Sequence, residues 1–153
     1  MSWVKLEHRV GVQAPAETIW AIVSDIESWS KWCALYPKAA GVIRMGAELT
    51  LDVAVPGQPV RSIKPVVEDW VPNEQLIWRL SMMGGLVKTT RYFEIEALTA
   101  GACIFANGEM FEGLLGPRVA KRISGPLKGA FRDLGEAVKR LAEAAAPKDD
   151  ATA

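Results

Sequence analysis

The chain has 153 residues, half of them apolar and about a quarter charged, which is the size and balance of one globular domain. Lysine plus arginine equals aspartate plus glutamate at 18 each, so nothing global favours nucleic acid or an acidic partner, and no nucleic-acid binding is expected. No apolar run reaches the roughly 18 residues of a membrane span, Met1-Ser2-Trp3-Val4-Lys5 lacks a signal-peptide core, and Cys33 and Cys103 are too sparse for a disulfide framework, so a reducing cytoplasmic compartment is expected.

Val4, Leu6, His8, Val10 and Val12 alternate with Lys5, Glu7, Arg9 and Gly11, the two-residue period of a strand with one buried face. Ala14-Pro15-Ala16-Glu17 opens a helix, because proline is tolerated in a first turn and glutamate suits its positive end. Asp25 is placed to cap a second short helix carrying Ile26, Trp29, Trp32 and Cys33. From Ala39 the period returns to two. Leu49, Leu51, Val53 and Val55 face one way, Pro56-Gly57-Gln58-Pro59 turns the chain, and Val60 to Val71 runs back. Leu76, Trp78, Leu80 and Met82 share the next face. After Gly84-Gly85, Arg91, Phe93 and Ile95 share another, and a last strand ends near Phe111. Together these make a meander of about seven strands.

The final segment is the strongest helix pattern. Leu115, Val119, Ile123, Leu127, Phe131, Leu134, Val138, Leu141 and Ala145 recur every three or four residues. Steps of four from Leu115 to Phe131 would turn that stripe by about 160° around a straight helix at roughly 100° per residue. Gly125-Pro126 lies within the drifting stretch, so a bend near Ser124–Pro126 is predicted, or a break into two helices. The polar stretch 147–153 reads as a disordered tail. The resulting class is α+β: a curved antiparallel sheet wrapped around the long C-terminal helix, with two short helices after the first strand, in one domain over 1–146.

Three stretches carry a family resemblance. The strand exit Val10-Gly11-Val12-Gln13-Ala14-Pro15 leads into Glu17-Thr18-Ile19-Trp20 and then Ser24-Asp25-Ile26-Glu27-Ser28-Trp29-Ser30-Lys31-Trp32. Thr90-Arg91-Tyr92-Phe93-Glu94-Ile95 and Glu109-Met110-Phe111-Glu112-Gly113-Leu114 precede the terminal helix. The pattern resembles START-related proteins, the polyketide cyclase/dehydrase and lipid-transport group related to the birch-pollen allergen fold, over nearly the whole chain to about Ala146. The resemblance implies a helix-grip fold, and it is poor for function, since members bind, transport or transform many apolar molecules.

In such a fold sheet and helix leave a hollow, and alternation names its expected walls: Leu51, Val53, Trp78, Leu80, Phe93 and Ile95. Trp32 and Tyr36 are expected from the second helix, and Ile123, Leu127 and Phe131 from the last. The competing expectation is that all of these pack as a solid core. Arg61 and Arg91 share the inward parity of their strands, so each either meets a ligand's acidic group, or lies near a strand end and snorkels to water, or pairs with a protein acid such as Glu109. His8 lies on an apolar face, where a hydrogen-bonded core histidine is the ordinary case. No Ser-His-Asp set, metal-ligand cluster, phosphate loop or dinucleotide fingerprint appears, so no metal or cofactor is expected.

The leading expectation is therefore binding or transport of a small hydrophobic molecule: a lipid, polyketide or isoprenoid. The alternative is a polyketide cyclase or aromatase-like enzyme, with Arg91, Tyr36 or His8 assisting proton transfer. A transient membrane-surface contact is a third expectation. It rests on the apolar turn Met82-Met83-Gly84-Gly85-Leu86 beside Arg118, Lys121 and Arg122. The opposing reading is a solvated helix face and a partly buried hairpin.

Overall fold

The computed structural model describes residues 3–146. Among these residues, eight strands form two antiparallel sheets. Strand β1 (Val4–Val12) leads into α1 (Ala16–Val23), a 3₁₀ turn (Ile26–Ser28) and α2 (Trp29–Trp32). Next come β2 (Lys38–Ala40), β3 (Thr50–Val53), β4 (Arg61–Ile63), β5 (Val66–Val71), β6 (Gln75–Met82), β7 (Val87–Thr99) and β8 (Ala102–Glu112), and then α3 (Gly116–Ala145). The larger sheet has the order β1-β8-β7-β6-β5 and the smaller one β2-β3-β4. The predicted tail at 147–153 lies outside the described residues.

The extra strand arises where one was expected to run from Val60 to Val71. Pro65 has no N–H for a ladder, so the strand breaks there and its halves join different sheets. The segment before β3 bridges the gap. Leu49 donates to the Pro65 carbonyl at 2.8 Å, Val67 donates to Ala47 at 2.8 Å, and Glu48 pairs with Val66. Asp25 precedes the 3₁₀ turn but makes no side-chain cap; its carbonyl instead accepts from the Ser28 hydroxyl at 2.7 Å.

Helix α3 is a single element that contains Pro126, so the predicted break does not occur. Pro126 is exposed and removes one backbone bond without ending the helix. α3 packs on β1, β8, β7 and α1. Its buried stripe runs Gly116, Ala120, then Leu127, Ala130, Phe131, Leu134, Val138 and Ala142. Between Ala120 and Leu127 the stripe lapses, and Ile123 is only half-buried. That lapse follows from the run of four-residue steps noted above. It is also where the helix stands away from the sheet.

The closed end of the hand is filled by aromatic rings. Trp29 lies 5.2 Å from Tyr36, 5.6 Å from Trp78 and 5.4 Å from Phe93 between ring centroids. Trp78 meets Phe93 edge to face at 5.1 Å, and Phe93 reaches Phe105 at 5.7 Å. Such tilted and edge-on contacts suit the ring quadrupoles. The Trp29 indole N–H is satisfied by the Val23 carbonyl at 3.0 Å. Nearer β1, α3 approaches the sheet closely at Gly135, where an added Cβ would lie 2.8 Å from His8 Cδ2.

Candidate functional site

At the other end the sheet and helix part, and a cavity of about 300 Å³ remains. Val53 and Ile63 of the small sheet, with Val55 just beyond β3, form one side. Trp78, Leu80 and Met82 of β6 with Phe111 of β8 form another, and Val119, Arg122 and Ile123 of α3 close it. Gln58, Pro59 and Arg61 sit on its rim. Most of the wall is aliphatic or aromatic, with one polar corner where Thr89, Arg91 and Glu109 meet.

That corner is built by the ladder register. Arg91 of β7 stands directly opposite Glu109 of β8, and both point inward. The Arg91 guanidinium donates to the Glu109 carboxylate and, at 2.8 Å, to the Tyr36 hydroxyl. It also lies 5.5 Å from the centre of the Phe131 ring and 5.6 Å from that of Tyr36. Burial opposes the charge on Arg91, but the Glu109 carboxylate and the Tyr36 hydroxyl outweigh it, and the guanidinium is held ionised above its ordinary range. Burial pushes the Tyr36 hydroxyl up, only partly countered by Arg91, so Tyr36 stays protonated. The ion pair with Glu109 and the bond to Tyr36 compensate the buried charge within the protein, and the remaining guanidinium N–H groups stand at the cavity wall.

Five expected wall residues reach the cavity: Val53, Trp78, Leu80, Arg91 and Ile123. The others do not. Tyr36 and Phe93 belong to the aromatic plug, and Leu51, Ile95, Leu127 and Phe131 are packed in the core. Trp32 lies outside the hollow, with its indole N–H on the Ser28 hydroxyl at 3.2 Å. For Tyr36 and Phe93 the cause is the ring cluster with Trp29 and Trp78, which fills interior space that alternation alone leaves open.

Arg61 is exposed on the rim and donates to the Met82 sulfur at 2.9 Å. His8 is half-buried beneath Gly135, away from the cavity, and pairs in register with Asn107. The hydrogen bond expected for a core histidine is missing at one nitrogen. Among the described residues, His8 Nε2 and Asn107 Oδ1 have no partner, while Asn107 donates from Nδ2 to the Phe131 carbonyl at 3.0 Å. Thr89, Phe111, Val119 and Arg122 were missing from the sequence-based wall. The first two could have been found by extending the inward parity of Arg91 and Glu109 along their strands.

Cys33 and Cys103 are both free and buried. Burial pushes the Cys33 thiol up to about 11, against the weaker pull of the Tyr36 and Leu35 amides and the Arg91 charge. At neutral pH the native protein should resist alkylation at Cys33 by iodoacetamide, while the same reagent in denaturant should label it fully. Mass spectrometry of the two samples checks this.

An antiparallel sheet gripping one long helix around a partly open apolar hollow defines a helix-grip container. The chain belongs to the polyketide cyclase/dehydrase and lipid transport family, whose model matches residues 4–146. A START superfamily protein from Mycobacterium smegmatis is 26% identical, with a TM-score of 0.70 over 92% of this chain and 97% of that one. The Zhui aromatase/cyclase from Streptomyces sp. R1128 is similar at 19% identity and a TM-score of 0.66, covering 95% of this chain and 100% of that one. Norcoclaurine synthase from Thalictrum flavum, solved with dopamine and hydroxybenzaldehyde, is similar at 16% identity and a TM-score of 0.70, covering 96% and 90%. The last two likenesses carry the fold alone. No curated protein matches the sequence. Among the described residues, no helix is long and apolar enough to cross a membrane.

Proposed function

We propose that the protein binds and carries a small hydrophobic molecule in this cavity, with the ligand's neutral polar group at the Thr89–Arg91–Glu109 corner. The observation that carries the reading is the hollow itself: about 300 Å³, walled by Val53, Ile63, Leu80, Phe111 and Ile123, with its buried polar side chains in one corner and Gln58, Arg61 and Arg122 exposed at the mouth. Ligand sites have this composition, and roughly 300–1,000 Å³ is their usual range. A volume at the low end favours a compact polyketide or short isoprenoid over a bulky lipid. Arg91 is already engaged by Glu109 and Tyr36, so the corner suits a hydroxyl or carbonyl better than a second carboxylate. The two buried free thiols fit a reducing, cytoplasmic setting.

Filling the hollow tests the reading. Leu80→Trp puts an indole into the cavity from a half-buried wall position and should weaken uptake of the neutral fluorophore prodan by about tenfold or more, as one displaced apolar contact group is worth roughly 1.5–3 kcal/mol. Unaltered uptake by a folded Leu80→Trp protein would remove the cavity from ligand binding. Native mass spectrometry of protein from its own host should also show a bound apolar mass.

A second reading, a cyclase or aromatase-like enzyme, is favoured by one observation. A carboxylate, Glu109, reaches the wall of an apolar cavity. The same carboxylate is clasped by Arg91, which fits an orienting role better than proton transfer. His8 offers this reading nothing, because it does not line the cavity. Turnover of an aromatic polyketide substrate that disappears in Glu109→Gln while binding persists would favour the enzyme.

A further inference from the structure

The end of the molecule that holds the cavity mouth also gathers exposed apolar side chains and unpaired cations. The β6–β7 hairpin tip, the β8–α3 junction and the start of β4 meet there. Leu115 donates to the Leu86 carbonyl at 2.9 Å, and Arg61 reaches Met82. Eight large apolar residues are well exposed among the described ones, and four belong to these loops: Val60 (59%), Met83 (62%), Leu86 (41%) and Leu114 (83%). Met83 is held in the left-handed region at φ 55°, followed by Gly84 at 66° and Gly85 at 95°. A methionine in that conformation costs energy where glycine or asparagine would be cheap, and here its side chain is directed to solvent.

Charge supplies the second half of the argument. Arg61, Lys88, Arg118, Lys121 and Arg122 are exposed around the same loops, and none forms an ion pair among the described residues. The neighbouring acid is Glu112, opposite Lys88 in the β7–β8 ladder. The chain as a whole has no net charge, so this cationic excess belongs to one end. A symmetric contact with a second copy would set these cations against their own equivalents.

We propose that this end docks on an anionic bilayer surface, with Met83, Leu86 and Leu114 in the headgroup region and the cavity mouth facing the lipid. Apolar tips supply insertion, and the surrounding cations supply attraction to anionic headgroups. A ligand of the class proposed above would then pass between bilayer and cavity without crossing water. The docking itself does not depend on that proposal.

Vesicle sedimentation tests it with the full chain. The protein should partition onto phosphatidylcholine vesicles containing phosphatidylglycerol, not onto pure phosphatidylcholine, and added salt should release it. Arg118→Gln with Lys121→Gln should lower partition about thirtyfold, from roughly one unit of attraction per charge. Met83→Asn with Leu114→Asn should lower it by about tenfold while keeping the fold, since asparagine tolerates the left-handed backbone and Leu114 is exposed. Equal partition to both vesicle types, no partition to either at low salt, or unchanged partition of both variants overturns the proposal. So does a concentration-dependent dimer that the asparagine variants dissolve without any vesicle uptake. Prodan binding in the absence of vesicles should be unchanged in all four positions, which separates failure of docking from failure of the cavity.

Discussion

Glu109→Ala should lower the free energy of unfolding by about 3–5 kcal/mol, the usual cost of leaving one partner of a buried ion pair uncompensated. Arg91 is buried between β7, β8 and the aromatic plug, and its remaining hydrogen bond to Tyr36 cannot neutralise it. Arg91→Met alone should cost a comparable amount, because the Glu109 carboxylate is then left unpaired in the same buried corner. The double variant Arg91→Met, Glu109→Met should recover most of the loss, since well-packed apolar groups replace such pairs at little or no cost. Chemical denaturation of the native protein, Arg91→Met, Glu109→Met and the double variant gives the coupling as a double-mutant cycle. A loss below about 1 kcal/mol in Glu109→Ala would show that the pair is solvated and that the corner is not the dry recognition element described above.

Trp29→Ala should be comparably damaging, at about 3–5 kcal/mol, with a fall in Tm on the order of ten degrees. The indole touches Tyr36, Trp78 and Phe93 at once, and no neighbour can collapse into the space without abandoning its own ring contacts. Its loss also strips the Val23 carbonyl, at the end of α1, of its indole donor. Trp29→Phe should retain part of the packing and fall between the two. The same truncation would open the plug towards the cavity, so Trp29→Ala should accept larger apolar probes than the native protein. Thermal unfolding followed by circular dichroism measures the first effect, and a size series of apolar fluorophores measures the second. A Trp29→Ala protein that melts like the native one would mean that the rings are not the rigid stop that confines the hollow to the mouth.

The two predictions depend on different kinds of legibility. Inward parity on β7 was readable from Arg91, Phe93 and Ile95 alternating with Tyr92, Glu94 and Glu96, because a strand reverses its side chains at every residue. It was not readable on β8, where Ala106, Asn107, Gly108 and Glu109 are buried in succession. Gly108 has no side chain and sits under Tyr92, so an added Cβ would lie 2.5 Å from the tyrosine oxygen; burial there marks close packing on the outer face. Glu109 could be named from the sequence as a candidate partner of Arg91, but that it faces inward emerged only from the register that sets it across from Arg91.

Alternation and helical spacing, acting between neighbours along the chain, determined the order of elements, the inward faces of β6 and β7 and the middle of the last helix's stripe, where Leu127, Phe131, Leu134 and Val138 are buried. The family was legible from the resemblance carried by the stretches around Val10–Trp32, Thr90–Ile95 and Glu109–Leu114. What folding alone decided is where those inward faces meet one another and where they stop short. Phe93 and Leu80 have the same periodic signature, yet one is locked among rings and the other borders open space. The difference lies in how far α3 stands from the sheet at each level, which depends on ring volumes brought together from α2, β6, β7 and β8. Separation between distant segments leaves no local pattern to read, so the size and position of the cavity belong to the tertiary structure.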